Sequence, residues 1–409
     1  MYDRYLLQIL DYHDSMLADE LRTQSYLRAV QHTVRPGDVV LDIGAGTGIL
    51  ALFACLAGAR KVYAVEQGPV IEIARRVCRE NGFEDRVTFV NDWSTRVELP
   101  ERADLLITET VGNIGFEEGI LGWVIDAKKR LLAPDARIIP RTVELAAVPV
   151  ESEDDYYLVD SWLEDFYSFS FSAARTVAAN NLHPTELSPK SFLGEPAYLA
   201  RVDLAAVTSA NAADIADAAG VADAANVGGS ASFVVTRSGV MHGIGCWFRS
   251  ELAAGITVSN APPNQVPSWT HGFLPLEKPL PLTRGDQLRV EIQAAANSAH
   301  WAWKVAKDGY MVQEAVSREI LHSDQTTLSG QLLPGADGGA IDRAPARSKD
   351  AEVDLFILRL MDGATPITEI ARQTAAQFSA DLDFENARSR VLALCQHYRC
   401  QGGRDARST

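Results

Sequence analysis

Glu109 and Glu118 stand near the two ends of the segment ITETVGNIGFEEGIL, and two carboxylates one short loop apart can do a particular kind of chemistry. Together they can grip a planar guanidinium through bidentate, charge-assisted hydrogen bonds, a geometry that suits arginine better than lysine. Two acids on a loop are equally consistent with simple solvation. The pair therefore gains meaning only from the elements that position it.

Upstream lies VLDIGAGTG, in which Gly44, Gly46 and Gly48 permit a tight turn and close approach of a ligand to the backbone at a helix start. A glycine-rich turn alone is also compatible with a dinucleotide site. Two acids point elsewhere. Asp42, ahead of the first glycine, would set a carboxylate near a cationic or amino-bearing cofactor, and Glu66 ends the next strand, where an acid can accept both ribose hydroxyls.

The surrounding pattern is α/β from Asp38 to about Leu132. GDVVLDI, KVYAVE, RVTFVND and ADLLITE read as strands, while ILALFACLAGA, PVIEIARRVCRENG and FEEGILGWVIDAKKRLL read as helices, the second stopped by Asn81 and Gly82. Such alternation implies a doubly wound parallel sheet with ligands at its carboxyl edge. After Pro134 the texture changes to runs rich in β-branched and aromatic residues, such as ARIIPRTVELAAVPV and SASFVVTRSGVMHGIGCWFRSEL, which predict a mainly antiparallel β domain. DSWLEDFYSFSFSAARTVAANN interrupts that pattern with apolar residues that something must cover. An alanine-rich stretch, AAVTSANAADIADAAGVADAANVGG, reads as an insertion or loop. The segment 323–349 reads as a polar linker, and EVDLFILRLMDG, TPITEIARQTAAQF and ENARSRVLALCQHY as three helices of a small winged-helix-like module, with Thr365 and Pro366 at one helix start.

A chain of 409 residues predicts two or three domains. The net charge of −16 argues against a general nucleic-acid binder and favours encounter with cations, although acidity for solubility explains it as well. Five cysteines with no Cys-x-x-Cys pair fit a reduced, cytoplasmic setting. Cys395, His397 and Cys400 follow no usual zinc spacing, so no metal is expected. No apolar run is long enough to cross a bilayer, and the N-terminus lacks the pattern of a signal peptide.

The glycine loop resembles the S-adenosylmethionine motif of class I methyltransferases more than a dinucleotide fingerprint. From about Tyr12 to Ala306 the chain resembles the protein arginine methyltransferase family. DYHDSMLADELRTQSY looks like that family's N-terminal helix, VLDIGAGTGIL and KVYAVE like its cofactor motifs, TETVGNIGFEEGIL like its double-glutamate loop, and WTH, ending in His271, like its Thr-His-Trp loop. The resemblance implies a class I Rossmann-like sheet followed by a β-barrel-like domain with a dimerisation arm. Its boundaries would be 1–34 for capping helices, 35–137 for the cofactor domain, 138–322 for the substrate domain with an arm at about 153–190, and 350–409 for the helical module. It assigns Arg22, Asp42, Gly44, Gly46, Glu66 and Ser94 to S-adenosyl-L-methionine, with Arg22 on the cofactor carboxylate. Met16, Glu109 and Glu118 fall to the substrate, and His271 paired with Asp19 closes the site.

Three departures stand out. Gly272 occupies the place of the family's tryptophan, so a wall of the substrate slot is missing or supplied from elsewhere. Tyr2 and Tyr5 match the family's paired aromatics only loosely. Ile120 replaces a methionine that helps set the methylation pattern, which leaves mono- versus dimethylation open. The resemblance implies a homodimeric N-methyltransferase acting on free arginine or on a peptide or protein arginine. A small-molecule N- or O-methyltransferase of secondary metabolism and a non-catalytic dimeric scaffold are the alternatives.

Overall fold

The structure, a computed structural model, describes residues 4–207, 226–263, 268–295, 301–316, 365–378 and 382–392, with helical positions at 353, 356, 357 and 360. Most of the alanine-rich stretch, the 323–349 linker and the Cys395, His397 and Cys400 group lie outside the described residues. Over the rest, the chain divides into two compact units, Met1–Val159 with Thr176–His322, and Asp160–Arg175 with Ser323–Thr409.

The first unit begins with α1 (Arg4–Ala18) and α2 (Glu20–Thr33). Asp19 separates them in an extended conformation, and its carboxylate accepts from the Arg22 amide at 3.0 Å, an N-cap that stops one helix and starts the next. The buried face of α2, Arg22, Ser25, Tyr26, Ala29 and Val30, has the three-and-four spacing of an amphipathic helix. There follow β1 (Val39–Ile43), α3 (Ile49–Leu56), β2 (Lys61–Val65), α4 (Ile71–Glu80), β3 (Val87–Val90), β4 (Ala103–Thr108), α5 (Ile120–Arg130) and β5 (Leu132–Ile139). The five strands form one parallel sheet in the order β3-β2-β1-β4-β5. All five residues of β1 are buried, as expected for a central strand covered on both faces.

Two local readings shift. The helix expected from Phe116 begins only at Ile120, because Gly119 adopts φ +77° and ends the preceding loop in a left-handed turn. ARIIPRTVELAAVPV divides at Pro140: its first part completes β5 and pairs with β4, so the parallel sheet runs to Ile139, past the expected boundary at 137.

The remainder of this unit is antiparallel. β6 (Thr142–Val150) follows the parallel sheet and is succeeded by α6 (Glu153–Asp160); the chain then passes through the second unit's two-strand hairpin, β7 (Asp165–Phe166) and β8 (Phe169–Ser170), and returns in α7 (Ser172–Ala179). The later strands are β9 (His183–Thr185), β10 (Ala197–Asp203), β11 (Asn226–Val234), β12 (Gly239–Ala253), β13 (Ile256–Ser259), β14 (His271–Leu282), β15 (Gln287–Ala295), β16 (Trp301–Lys307) and β17 (Tyr310–Val316). One sheet runs β10-β6-β12-β14-β9, with β13 also on β12, and a second runs β11-β15-β16-β17. In β16, Trp301, Trp303 and Val305 alternate inward beside Val290 and Ile292 of β15. Burial of each such side chain stabilises the fold by about 1.5–3 kcal/mol.

In the second unit the hairpin turns through Tyr167 and Ser168, both at positive φ, and leaves Trp162, Leu163, Phe166, Phe169 and Phe171 exposed. The C-terminal residues include α8 (Ile367–Gln377), capped at Pro366, and a helical run at 384–392. Val353, Ile357, Ile370, Ala371 and Val391 form their own small core.

Candidate active site

β1 and β4 lie side by side although the chain visits β2 and β3 between them, so the strand order reverses there and a crevice opens at the carboxyl ends. The glycine loop follows β1, Glu66 follows β2, and Glu109 follows β4. A cavity of about 1120 Å³ occupies this place. Of the expected cofactor residues, Arg22, Gly44, Gly46, Glu66 and Ser94 line it, and so do Met16, Glu109 and Glu118 of the expected substrate residues. Asp19, Asp42 and His271 do not.

The cavity fits a cofactor with a ribose and a charged tail. Gly44 and Gly46 sit at φ +74° and +52°, and a Cβ on Gly46 would come within 2.7 Å of the His13 ring from α1. The loop can therefore bring bare backbone to a ligand only as glycine. Glu66 accepts from the Gly68 amide at 2.6 Å and the Gly46 amide at 3.1 Å, which fixes its carboxylate at the cavity wall. Asp42 lies beneath this loop, fully buried, and neither of its oxygens has a hydrogen-bond partner. Burial, with the charge of Glu66 adding to it, pushes its pKa up to about 7, and the Ala51 amide opposes this weakly from outside hydrogen-bonding geometry. Asp42 thus lies behind the loop and outside the cavity lining.

Glu109 is ion-paired with Arg22, and both side chains are nearly covered. The Arg22 guanidinium also lies 5.2 Å from the ring centre of Trp269, which itself meets Phe248 edge-on at 4.9 Å. Glu118 touches solvent through the cavity mouth yet is closely surrounded by protein, and that desolvation raises its pKa against the pull of Arg22. Its backbone carbonyl accepts from the Trp123 indole at 2.8 Å. Between the two glutamates the loop is held by a third. The Glu117 carboxylate accepts from the amides of Asn113 and Ile114, and burial pushes its pKa up to about 7.

The expected pair of His271 with Asp19 does not form. Asp19 spends its second oxygen on Ser268, from whose hydroxyl it accepts at 2.6 Å. His271 begins β14 opposite Thr185 of β9, and its Nδ1 accepts from the Leu187 amide at 3.0 Å, while its Nε2 is buried without a partner. Burial lowers its pKa, which keeps the ring neutral. The strand pairing of β14 with β9 carries this histidine away from the N-terminal helices.

Gly272 has a different explanation from a missing wall. A Cβ there would meet Ile114 at 2.6 Å and Leu182 at 2.8 Å, so the space beside it is already filled by core side chains. The wall comes instead from Trp269, two residues before His271. The motif WTH holds the same residue types as the expected loop in another order, and that was the available signal. Tyr12, Trp93 and Trp123 also line the cavity, with Trp93 and Trp123 ring centres 6.2 Å apart. Nothing in their sequence spacing announced them.

Residues 142–305 match the family model described as the arginine methyltransferase oligomerization subdomain, and residues 21–139 match that of the ribosomal protein L11 methyltransferase. An arginine N(omega)-methyltransferase of Streptomyces achromogenes subsp. streptozoticus is 32% identical over 290 residues, covering 69% of this chain and 75% of its own. The protein arginine N-methyltransferase 6 of Xenopus laevis is 30% identical over 291 residues, covering 68% and 82%. Among solved structures, the Trypanosoma brucei PRMT1 enzyme-prozyme complex with AdoHcy has a TM-score of 0.63 at 24% identity, over 75% of this chain and 98% of that one. Protein arginine methyltransferase 10 of Arabidopsis thaliana gives 0.60 at 21%, over 76% and 100%. These two likenesses speak for the fold.

Proposed function

The chain belongs to the arginine N-methyltransferase family, and from that premise we propose that it methylates a guanidinium nitrogen held between Glu109 and Glu118. The observation that carries this reading is that a guanidinium, that of Arg22, already lies against Glu109 in the cavity wall beside Trp269. Arg22 has five N–H donors, so an edge given to Glu109 leaves others for the cofactor carboxylate. Bound S-adenosyl-L-methionine supplies the electrophilic methyl group. Arg22, Gly44, Gly46, Glu66 and Ser94 are the residues that would hold it.

The remaining work falls to the chain. A guanidinium has no spare lone pair until its charge is drawn toward its other nitrogens. Carboxylates on two sides orient the group and localise positive charge near themselves, which leaves the third nitrogen free to attack in line. That nitrogen becomes acidic only as the new bond forms. Glu118, with its raised pKa, is the group suited to receive the proton, since His271 lies outside the cavity.

The acceptor is arginine, free or within a peptide. The Streptomyces relative is named for arginine and the Xenopus relative for protein arginine, and for a peptide acceptor the C-terminal helical module would serve as a recognition element. The functional assembly is a homodimer formed through the apolar hairpin. Buried, unpaired Cys55, Cys78 and Cys246 support a cytoplasmic setting.

The test is incubation with methyl-labelled S-adenosylmethionine and, separately, free arginine, an arginine-rich peptide and a mixed metabolite pool. Label should reach a guanidine, and Glu118→Gln should lower kcat by roughly 100-fold or more while cofactor affinity holds. Unchanged turnover in that variant would sink the clamp, and label on none of the three would favour the scaffold alternative.

A further inference from the structure

The double-glutamate loop contains a carboxylate that the clamp does not use. Glu117 lines the cavity, and both of its oxygens lie 3.0 Å from the Ile114 amide, with the Asn113 amide donating to one of them. Its carboxyl group fills the space where a Cβ of Gly112 would stand, and Gly112 is at φ +62°, so the turn and the acid are matched to each other. From this loop a chain of bonds crosses to the antiparallel sheets. The Asn113 side-chain oxygen accepts from the Thr270 amide at 2.9 Å. Its backbone carbonyl accepts from the Asn260 side chain at 2.8 Å, and that same Asn260 nitrogen donates to the Thr270 carbonyl. Asn260 is fully buried and accepts from the Phe248 amide at 3.0 Å, and Phe248 is the ring against which Trp269 packs.

On the reading of the site given above, we propose that Glu117 is a positioning residue of the transfer reaction: by capping Asn113 and Ile114 it sets the spacing of Glu109 from Glu118 and, through Asn113, the Trp269 wall. The two ends of the clamp are anchored differently. Glu109 follows directly from β4, whereas Glu118 hangs from a loop with no regular backbone pairing until α5, so the loop must be fixed by side chains. Buried amides left without an acceptor are costly, which makes this cap strongly directional.

The charged groups facing Glu117 are few. Glu118 adjoins it, Tyr12 of α1 and the buried Cys246 thiol of β12 feel its charge, and Arg22 lines the same cavity. Backbone amides favour its charged form, and burial holds its pKa at about 7. A protonated carboxyl offers one acceptor fewer, so the loop loosens as pH falls.

Glu117→Gln and Glu117→Ala of the full chain separate the outcomes. Glu117→Ala should raise the acceptor KM at least tenfold and lower kcat, with the cofactor dissociation constant within about twofold of wild type. Glu117→Gln, which like the protonated acid keeps one acceptor oxygen, should hold activity near the low-pH level of wild type at every pH and abolish the activity transition near pH 7. A second readout does not need an acceptor: the pH-dependent tryptophan emission present in wild type and absent in Trp269→Phe should also vanish in Glu117→Gln. An unaltered activity profile in Glu117→Gln, or a Trp269 emission transition that persists in it, overturns the proposal. A wild-type protein that labels no guanidine but shows the Glu117-dependent emission change would instead overturn the function and leave the positioning role standing.

Discussion

Asp42 shows how a single side chain can carry opposite consequences for stability and for ligand binding. Its carboxyl is fully buried with no hydrogen-bond partner, and its pKa rises from 3.8 to about 7. A group whose folded pKa exceeds its unfolded value contributes stability that is whole below the unfolded pKa and is lost as pH rises through the folded one. The protein should therefore lose stability from this group between about pH 4 and about 7. Asp42→Asn removes the titration, and the variant should exceed wild type at pH 8 by on the order of 1–3 kcal/mol. Thermal unfolding of both cofactor-free proteins from pH 5 to pH 8 checks this: the gap should widen with pH and then level off. A gap that is constant across the series would show that packing, and not charge, explains it. The same carboxylate under the glycine loop should favour a cationic ligand, so cofactor affinity in the variant should fall as stability rises.

At the scale of elements, α1 and the glycine loop behave as one device. His13 lies over Gly46, and burial lowers its pKa, so the ring that meets the loop is neutral. Gly46→Ala would force both a left-handed alanine and a collision with that ring. Cofactor affinity measured by calorimetry should weaken by roughly 10- to 100-fold, equivalent to about 1.4–2.8 kcal/mol. Gly82→Ala is the matched control. Gly82 is at φ +75° with nothing within 4 Å of its missing Cβ, so it should show only the backbone strain of about 1–2 kcal/mol in stability and no change in binding. Equal binding losses in both variants would mean that loop conformation, and not the contact with α1, governs the site.

At the scale of the molecule, the exposed ring set of the hairpin is the feature on which the proposed homodimer rests. Phe166 meets Trp162 at 6.4 Å and Phe171 at 5.7 Å between ring centres, yet all three remain exposed. A cluster of this kind on a short hairpin is a usual sign of an interaction site. The double variant Phe166→Asp with Phe169→Asp should weaken self-association by roughly 100-fold, read by sedimentation velocity over a concentration series. At concentrations where wild type is also dissociated, melting temperature should hardly change, because in a single copy the side chains are already in solvent. If the variant sediments as wild type does, the hairpin is not the contact between copies.

Much of this was legible in the chain itself, for identifiable reasons. Short buried strands alternating with amphipathic helices, a Gly-x-Gly-x-Gly turn behind a carboxylate, and two glutamates nine residues apart are local patterns, and local patterns survive in sequence. They specified the parallel sheet, the cofactor loop, Glu66, Glu109 and Glu118. What tertiary structure alone decided is long-range. Strand pairing placed His271 against β9 and its neighbours, so Asp19 bonded Ser268 instead. Core packing closed the space beside Gly272 and put Trp269 at the cavity wall. The bonds that run from Asn113, beside the Gly112 turn and Glu117, to Asn260 and Thr270 join residues more than a hundred positions apart. No periodicity records such contacts, because they exist only once two separately specified sheets have been brought together.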